Sequence, residues 1–170
     1  MKTIDSLIKA GCGLVCAFIM VACDDKSPLP SDEAVLSFYM DHSDDLKTVV
    51  ALCGENEAIK QVWLENNDVS FYEDRGLTSK TMEDITMIRS VMSKLNIITV
   101  QCSRLKSEDY HFRGTNFTLY AIGLSVSGEV KGIDYDTPWS LSHSPYLQRL
   151  IDSGALKKIN EDGWYIFHSM

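Results

Sequence analysis

The chain has 170 residues, 45% of them hydrophobic and 24% charged, and a formal net charge of -8. Such acidity argues against nucleic acid or anionic lipid head groups as partners, because both favour clustered Lys and Arg. Five cysteines and no CxxC pair leave little support for a redox-active dithiol.

The first residues have the three-part build of a secretory signal peptide: Lys2 and Lys9 near the start, the uncharged run Ala10 to Ala22, and small residues at its end. That run is too short to cross a bilayer, which takes ~20 apolar residues in a helix. Met20-Val21-Ala22-Cys23 resembles the lipobox of bacterial lipoproteins, with Met20 standing where an aliphatic residue is usual. The resemblance implies cleavage before Cys23, attachment of a diacylglycerol unit to its thiol and acylation of the new amino terminus. Several acyl chains hold a protein firmly, since one chain alone gives only reversible binding. Cys12 and Cys16 are preceded by too short an apolar run or by the wrong residue to compete. In enterobacterial lipoproteins an aspartate directly after the lipidated cysteine disfavours export to the outer membrane. Asp24 and Asp25 match that sorting pattern and imply an inner-membrane anchor with the domain on the periplasmic face.

Residues 1–22 carry Lys2 and Lys9 against Asp5, so the 148 residues that follow are one unit more acidic, near -9. That length suits one domain with a real core. In an oxidising compartment the two cysteines left beside the acylated one, Cys53 and Cys102, point to a disulfide, with two separately buried thiols as the alternative.

Residues 23–30, with Pro28 and Pro30 among polar neighbours, form a tether, and residues 31–170 the domain. Ser31 is expected to cap a helix carrying Val35, Leu36, Phe38 and Tyr39. Ser43 is expected to cap a second, with Leu46, Val49, Val50 and Cys53, ended by Gly54. A third helix is expected over 56–65, with Ile59, Val62 and Trp63 on one face and Asn66-Asn67-Asp68 closing it. The clearest period runs from Ser79 to Leu95, where Met82, Ile85, Ile88, Val91, Met92 and Leu95 recur at helical spacing.

From Asn96 the period changes. Ile97-Ile98-Thr99-Val100 and Phe117 to Ile122 read as strands, and Leu124 to Val126 and Val130 to Ile133 flank a hairpin turn at Ser127-Gly128-Glu129. Ser144-Pro145 opens a short helix that Gly154 ends. Leu156 to Ile159, a turn at 161–163, and Trp164 to Phe167 complete the chain. The pattern predicts a single α+β domain: N-terminal helices, then an antiparallel sheet of about five strands.

Chemistry is sparse. Gly123 to Ser127 lacks the last glycine of a nucleophile elbow, and His42, His111, His143 and His168 show no zinc spacing. Asp134 and Asp136 share one face of a strand as paired carboxylates, with a solvated strand end as the blander account. No catalytic residue, cofactor or metal is expected. Tyr135 and Trp139 put two large aromatics in a polar, proline-containing connection, the kind of anchor used at protein interfaces, unless Trp139 covers the core. Trp164 and Phe167 are core candidates. The segments Gly123 to Gly128, Lys131-Gly132 with Tyr135 and Pro138, and Gly163-Trp164-Tyr165 resemble small uncharacterised lipoproteins of proteobacteria, which imply no activity. The expectation is a lipid-anchored binding protein for an envelope or incoming protein, in an immunity, exclusion or accessory role. The alternatives are an envelope hydrolase and a structural spacer.

Overall fold

The computed structural model describes residues 29–72, 77–105, 111–122, 128–138, 140 and 144–169. Cys23, Asp24, Asp25, Trp139, His143 and the segment Gly123 to Ser127 lie outside them. Among the described residues, three helices accompany one antiparallel sheet of seven strands, an α+β domain with two more strands than the sequence led us to expect.

The first helix, α1 (Asp32–Glu55), is continuous where two helices were expected. Ser31 caps it as anticipated, accepting from the Ala34 amide at 3.3 Å. Ser43 does not interrupt it, because Val35, Tyr39, Leu46, Val49, Leu52 and Cys53 form one unbroken buried stripe. Of the polar run from Asp41 to Asp45, Asp41 and Asp44 face solvent while His42, Ser43 and Asp45 are half-buried.

The expected third helix over 56–65 is strand β1 (Ile59–Trp63), paired with β2 (Val69–Phe71). The misreading has a physical cause. A bulge between Ile59 and Gln61 shifts the alternation, so Ile59 and Val62, three residues apart, both turn to the core. That spacing imitates a helix. Asn67, with φ of 52°, makes the turn between the strands.

Helix α2 (Ser79–Leu95) has the expected limits, with Thr78 as N-cap and Asn96, at φ 59°, as its left-handed C-cap. Next come β3 (Thr99–Leu105), β4 (His111–Ile122) and β5 (Glu129–Asp136). Strands β4 and β5 pair antiparallel with Ile122 opposite Glu129, so Glu129 belongs to a strand and not to the expected turn, while the expected strand from Leu124 to Val126 lies outside the described residues. Helix α3 (Pro145–Asp152) is capped by Ser144, and β6 (Leu156–Lys158) and β7 (Trp164–Ser169) close the sheet in the order β2-β1-β3-β4-β5-β7-β6.

Period-2 alternation gives this sheet two different faces. On one, Val62, Val100, Phe117, Ile133 and Ile166 stand in register and pack against the apolar stripes of α1 and α2, forming the main core. Cys53, in the last turn of α1, is bonded to Cys102 of β3, with the Cα atoms 5.3 Å apart. Closing a loop of 49 residues stabilises by ~4 kcal/mol in the chain-entropy account. The other face carries Gln101, Asn116 and Asp134 in one row and Ser103, Gly114 and Asp136 in the next. Among the described residues its β7–β6 end is covered, where Leu147 of α3 packs with Leu156 and Tyr165 in a second, smaller core.

Candidate functional site

The edge of α3 and the uncovered rows of the sheet enclose a cavity of about 570 Å³. Its floor is polar: Gln101 and Ser103 from β3, Arg113, Gly114 and Asn116 from β4, Asp134 and Asp136 from β5. One wall is largely apolar, made by Leu150 of α3, Leu156 of β6 and Phe167 of β7, with Tyr146 alongside and 55% exposed. The volume falls within the range of small-ligand sites.

Asp134 and Asp136 share this floor because they are two apart in a strand, as the sequence implied. The expectation of a solvated strand end is corrected for Asp136, which is 2% exposed. Residues 137 and 140 fold over it, and the backbone fixes it from both sides: its amide donates to the Gly163 carbonyl at 2.9 Å, and the Thr137 amide donates to the Arg113 carbonyl at 2.8 Å. Asp134 is half-buried, reaching solvent through the cavity.

The polar groups around Asp136 leave it under-satisfied. Arg113 Nε stands 3.5 Å from Oδ1 without making a hydrogen bond, so the contact is an ion pair alone. Ser140 Oγ is 3.4 Å from the same oxygen and 2.9 Å from the Thr137 carbonyl; its single proton serves the shorter contact better. Oδ2 is buried with no hydrogen-bond partner among the described residues. Burial of an ionised carboxylate with so few donors is costly, and burial is the main cause that raises its pKa, opposed by Arg113 and Ser140. Burial and the neighbouring Asp136 charge push Asp134 up to about 7, against the pull of Arg113 and Asn116. The same two carboxylates help to hold the Tyr165 hydroxyl, which pairs in register with Asp134, above its ordinary value, after burial as the larger cause.

No family model, curated protein or solved structure matches this chain. The site is therefore read from its own chemistry.

Apart from Asp134, Asp136 and His168, the described sequence-derived site candidates do not line this recess. Tyr135 points to the core face, its ring 5.0 Å from Trp164, which also stacks on Phe117 at 6.2 Å. His168 is in the cavity lining, but its Nε2 lies 3.7 Å from Glu129, across the strand pair. Cys53 and Cys102 stand on the opposite face of the sheet. Among the described residues no group of three or more His, Cys, Asp or Glu is arranged to hold a metal ion, and no helix is long and apolar enough to cross a membrane. Arg113, Asn116, Gln101 and Tyr146 were not singled out in the sequence. The period-2 register of β3 against β4 and β5 gathers Asn116 and Gln101, whereas Arg113 falls at the irregularity where the β3–β4 pairing shifts, which no alternation in the sequence marks.

Just before α1, Lys131 Nζ donates to the Pro30 carbonyl at 2.8 Å and pairs with Asp32, which also holds Lys157. Lys131 is opposite His168 in the ladder, so the chain leaves the domain at the same end of the sheet as the His168 side of the cavity.

Proposed function

We propose that the protein is a lipid-anchored binding protein of the bacterial envelope, held by acylated Cys23 at the periplasmic face of the inner membrane, which captures a basic protein partner in the recess over Asp134 and Asp136. One observation carries the reading: an acidic pair, one of whose buried oxygens has no hydrogen-bond partner among the described residues, lines a ligand-sized recess in a domain that is acidic overall. Charge complementarity of this kind speeds encounter and rejects wrong partners. A tether of residues 23–30, at most about 25 Å when extended, keeps the recess close to the bilayer and raises its effective concentration there. Immunity to a delivered toxin, exclusion, and an accessory role in an envelope complex all use such a module.

A photoreactive residue in place of Tyr146, activated in native membranes, tests the reading. One saturable crosslinked protein, lost when Asp134→Asn and Asp136→Asn are combined, is the expected result. Crosslinks to nothing, or a partner indifferent to both substitutions, overturn it, and no saturable ligand of any kind is what a structural spacer would give.

A second reading is favoured by the elevated pKa of Asp134 beside another carboxyl, the arrangement by which one acid donates a proton while its neighbour stays ionised. It makes the domain an envelope hydrolase. Release of soluble fragments from envelope polymer by the purified wild type, abolished by Asp134→Asn, would replace the binding reading with this one.

A further inference from the structure

We propose that the recess is a receptor for a primary alkylammonium group, presented by a lysine side chain of the partner protein; this deepens the binding reading above and rests on it.

The floor holds two carboxyl groups and one guanidinium, so it has an anionic surplus once both acids ionise. Asp136 is 98% removed from solvent, lines the recess, and has Oδ2 without a partner among the described residues, so a donor is missing where the fold has placed an acceptor. The second acceptor belongs to Asp134, one ladder position away, and the amides of Asn116 and Gln101 stand in the same row. These acceptors sit on different side chains. Such a set fits the three donors of a compact ammonium better than the planar fork of a guanidinium, which needs both oxygens of one carboxylate, and Oδ1 of Asp136 already faces Arg113. A divalent cation is poorly served, since the third anionic ligand is absent among the described residues and Arg113 is close by. Leu150, Leu156 and Phe167 offer an apolar wall for the methylene stem, and exposed Tyr146 lies alongside for the residues that flank the lysine.

The ammonium keeps its charge across neutral pH, whereas the floor changes there. Facing Asp134 are Asp136, Arg113, Tyr165 and His168 from the strands, with Glu129 on His168, and Tyr146 from α3. Binding to the ionised floor releases a proton, so affinity rises with pH by up to about tenfold per unit until Asp134 is ionised. His168 also lines the recess, and His168→Gln removes its imidazole as a second contributor.

The full domain, labelled for amide NMR, is titrated with Nα-acetyl-lysine amide and with the uncharged Nα-acetyl-norleucine amide between about pH 5.5 and 8.5. The expected result is saturable shifts at Gln101 and Asn116 with the lysine probe, at least about tenfold weaker binding of the norleucine probe, and a pH slope that persists in His168→Gln and becomes shallower in Asp134→Asn. Equal binding of the two probes, an affinity flat with pH in the wild type, or no saturable shift overturns the proposal even if Asp134→Asn is poorly folded, because those readings use the wild-type protein. Should the Tyr146 crosslink persist while the lysine probe fails, the ammonium site falls and the protein-binding reading stands. Should the probe bind without displacing any crosslinked protein, the partner's lysine is excluded and a free amine, tested with cadaverine, takes its place.

Discussion

The amide of Asp136 donates to the carbonyl of Gly163 at 2.9 Å, and Gly163, at φ 90°, is so close that a Cβ there would stand 2.2 Å from the Asp136 carbonyl oxygen. The turn before β7 thus clamps the end of β5, where the carboxyl pair lies. Gly163→Ala should destabilise by about 2 kcal/mol or more, because it combines a left-handed backbone with a backbone clash. Urea unfolding measures this, and a loss below about 0.5 kcal/mol would mean that the turn relaxes freely.

The Cys53–Cys102 bond ties the end of α1 to β3. Alkylation followed by mass measurement should find no free thiol at either position until the unfolded protein is reduced. The paired replacement of both cysteines by serine should lower stability by ~4 kcal/mol, less any strain relieved. A double variant as stable as the wild type would show that the bond constrains nothing that packing does not.

Arg104 completes the C-terminus of α1 from a neighbouring strand, its Nη2 donating to the Cys53 carbonyl at 2.6 Å and to the Asn56 carbonyl at 3.0 Å. Removing it strands buried carbonyls that no basic residue in the last turn of α1 can serve. We expect Arg104→Ala to cost about 2 kcal/mol, and amide exchange in residues 52–56 to quicken more than in α2. Uniform quickening throughout the domain would assign Arg104 to global packing instead.

Stability should fall as pH rises through neutrality. In the folded protein Asp134 titrates at about 7, whereas its ordinary value is 3.8, so between these values the native state holds a proton that the unfolded chain has released. The contribution is therefore fully present below about pH 4 and is lost as pH climbs through 7. Asp136 is shifted in the same direction. Asp32 is shifted down by its hydrogen bonds to Lys131 and Lys157, so its contribution fades only as pH drops into the acid range, outside this window. Urea midpoints measured between about pH 5 and 8 should decline for the wild type and decline less for Asp134→Asn, in which the raised Asp136 remains. A wild-type midpoint that rises over that interval would show Asp134 to be ionised at low cost.

Where local pattern and tertiary packing asked for the same thing, the elements were legible. The stripe from Ile85 to Leu95 gives α2, Ser144-Pro145 and Gly154 bound α3, and the branched and aromatic runs at Phe117 and Trp164 give two strands. Where one local signal had two readings it failed: the bulge that turns Ile59 and Val62 to the same side wrote a helical spacing into a strand, and the polar residues around Ser43 looked like a break in a helix that the core keeps continuous.

By itself the sequence determined the α+β class and the placing of Asp134 and Asp136 on one face, because period, composition and alternation are properties of neighbouring residues, and it pointed to the Cys53–Cys102 bond that the fold closes. Only the tertiary structure decided that this face forms a recess beside α3, that Asp136 loses its water, and that Arg113, Asn116 and Gln101 gather around the pair. Those facts depend on strand order and on which face the helices cover, which are set by contacts between residues far apart in the chain.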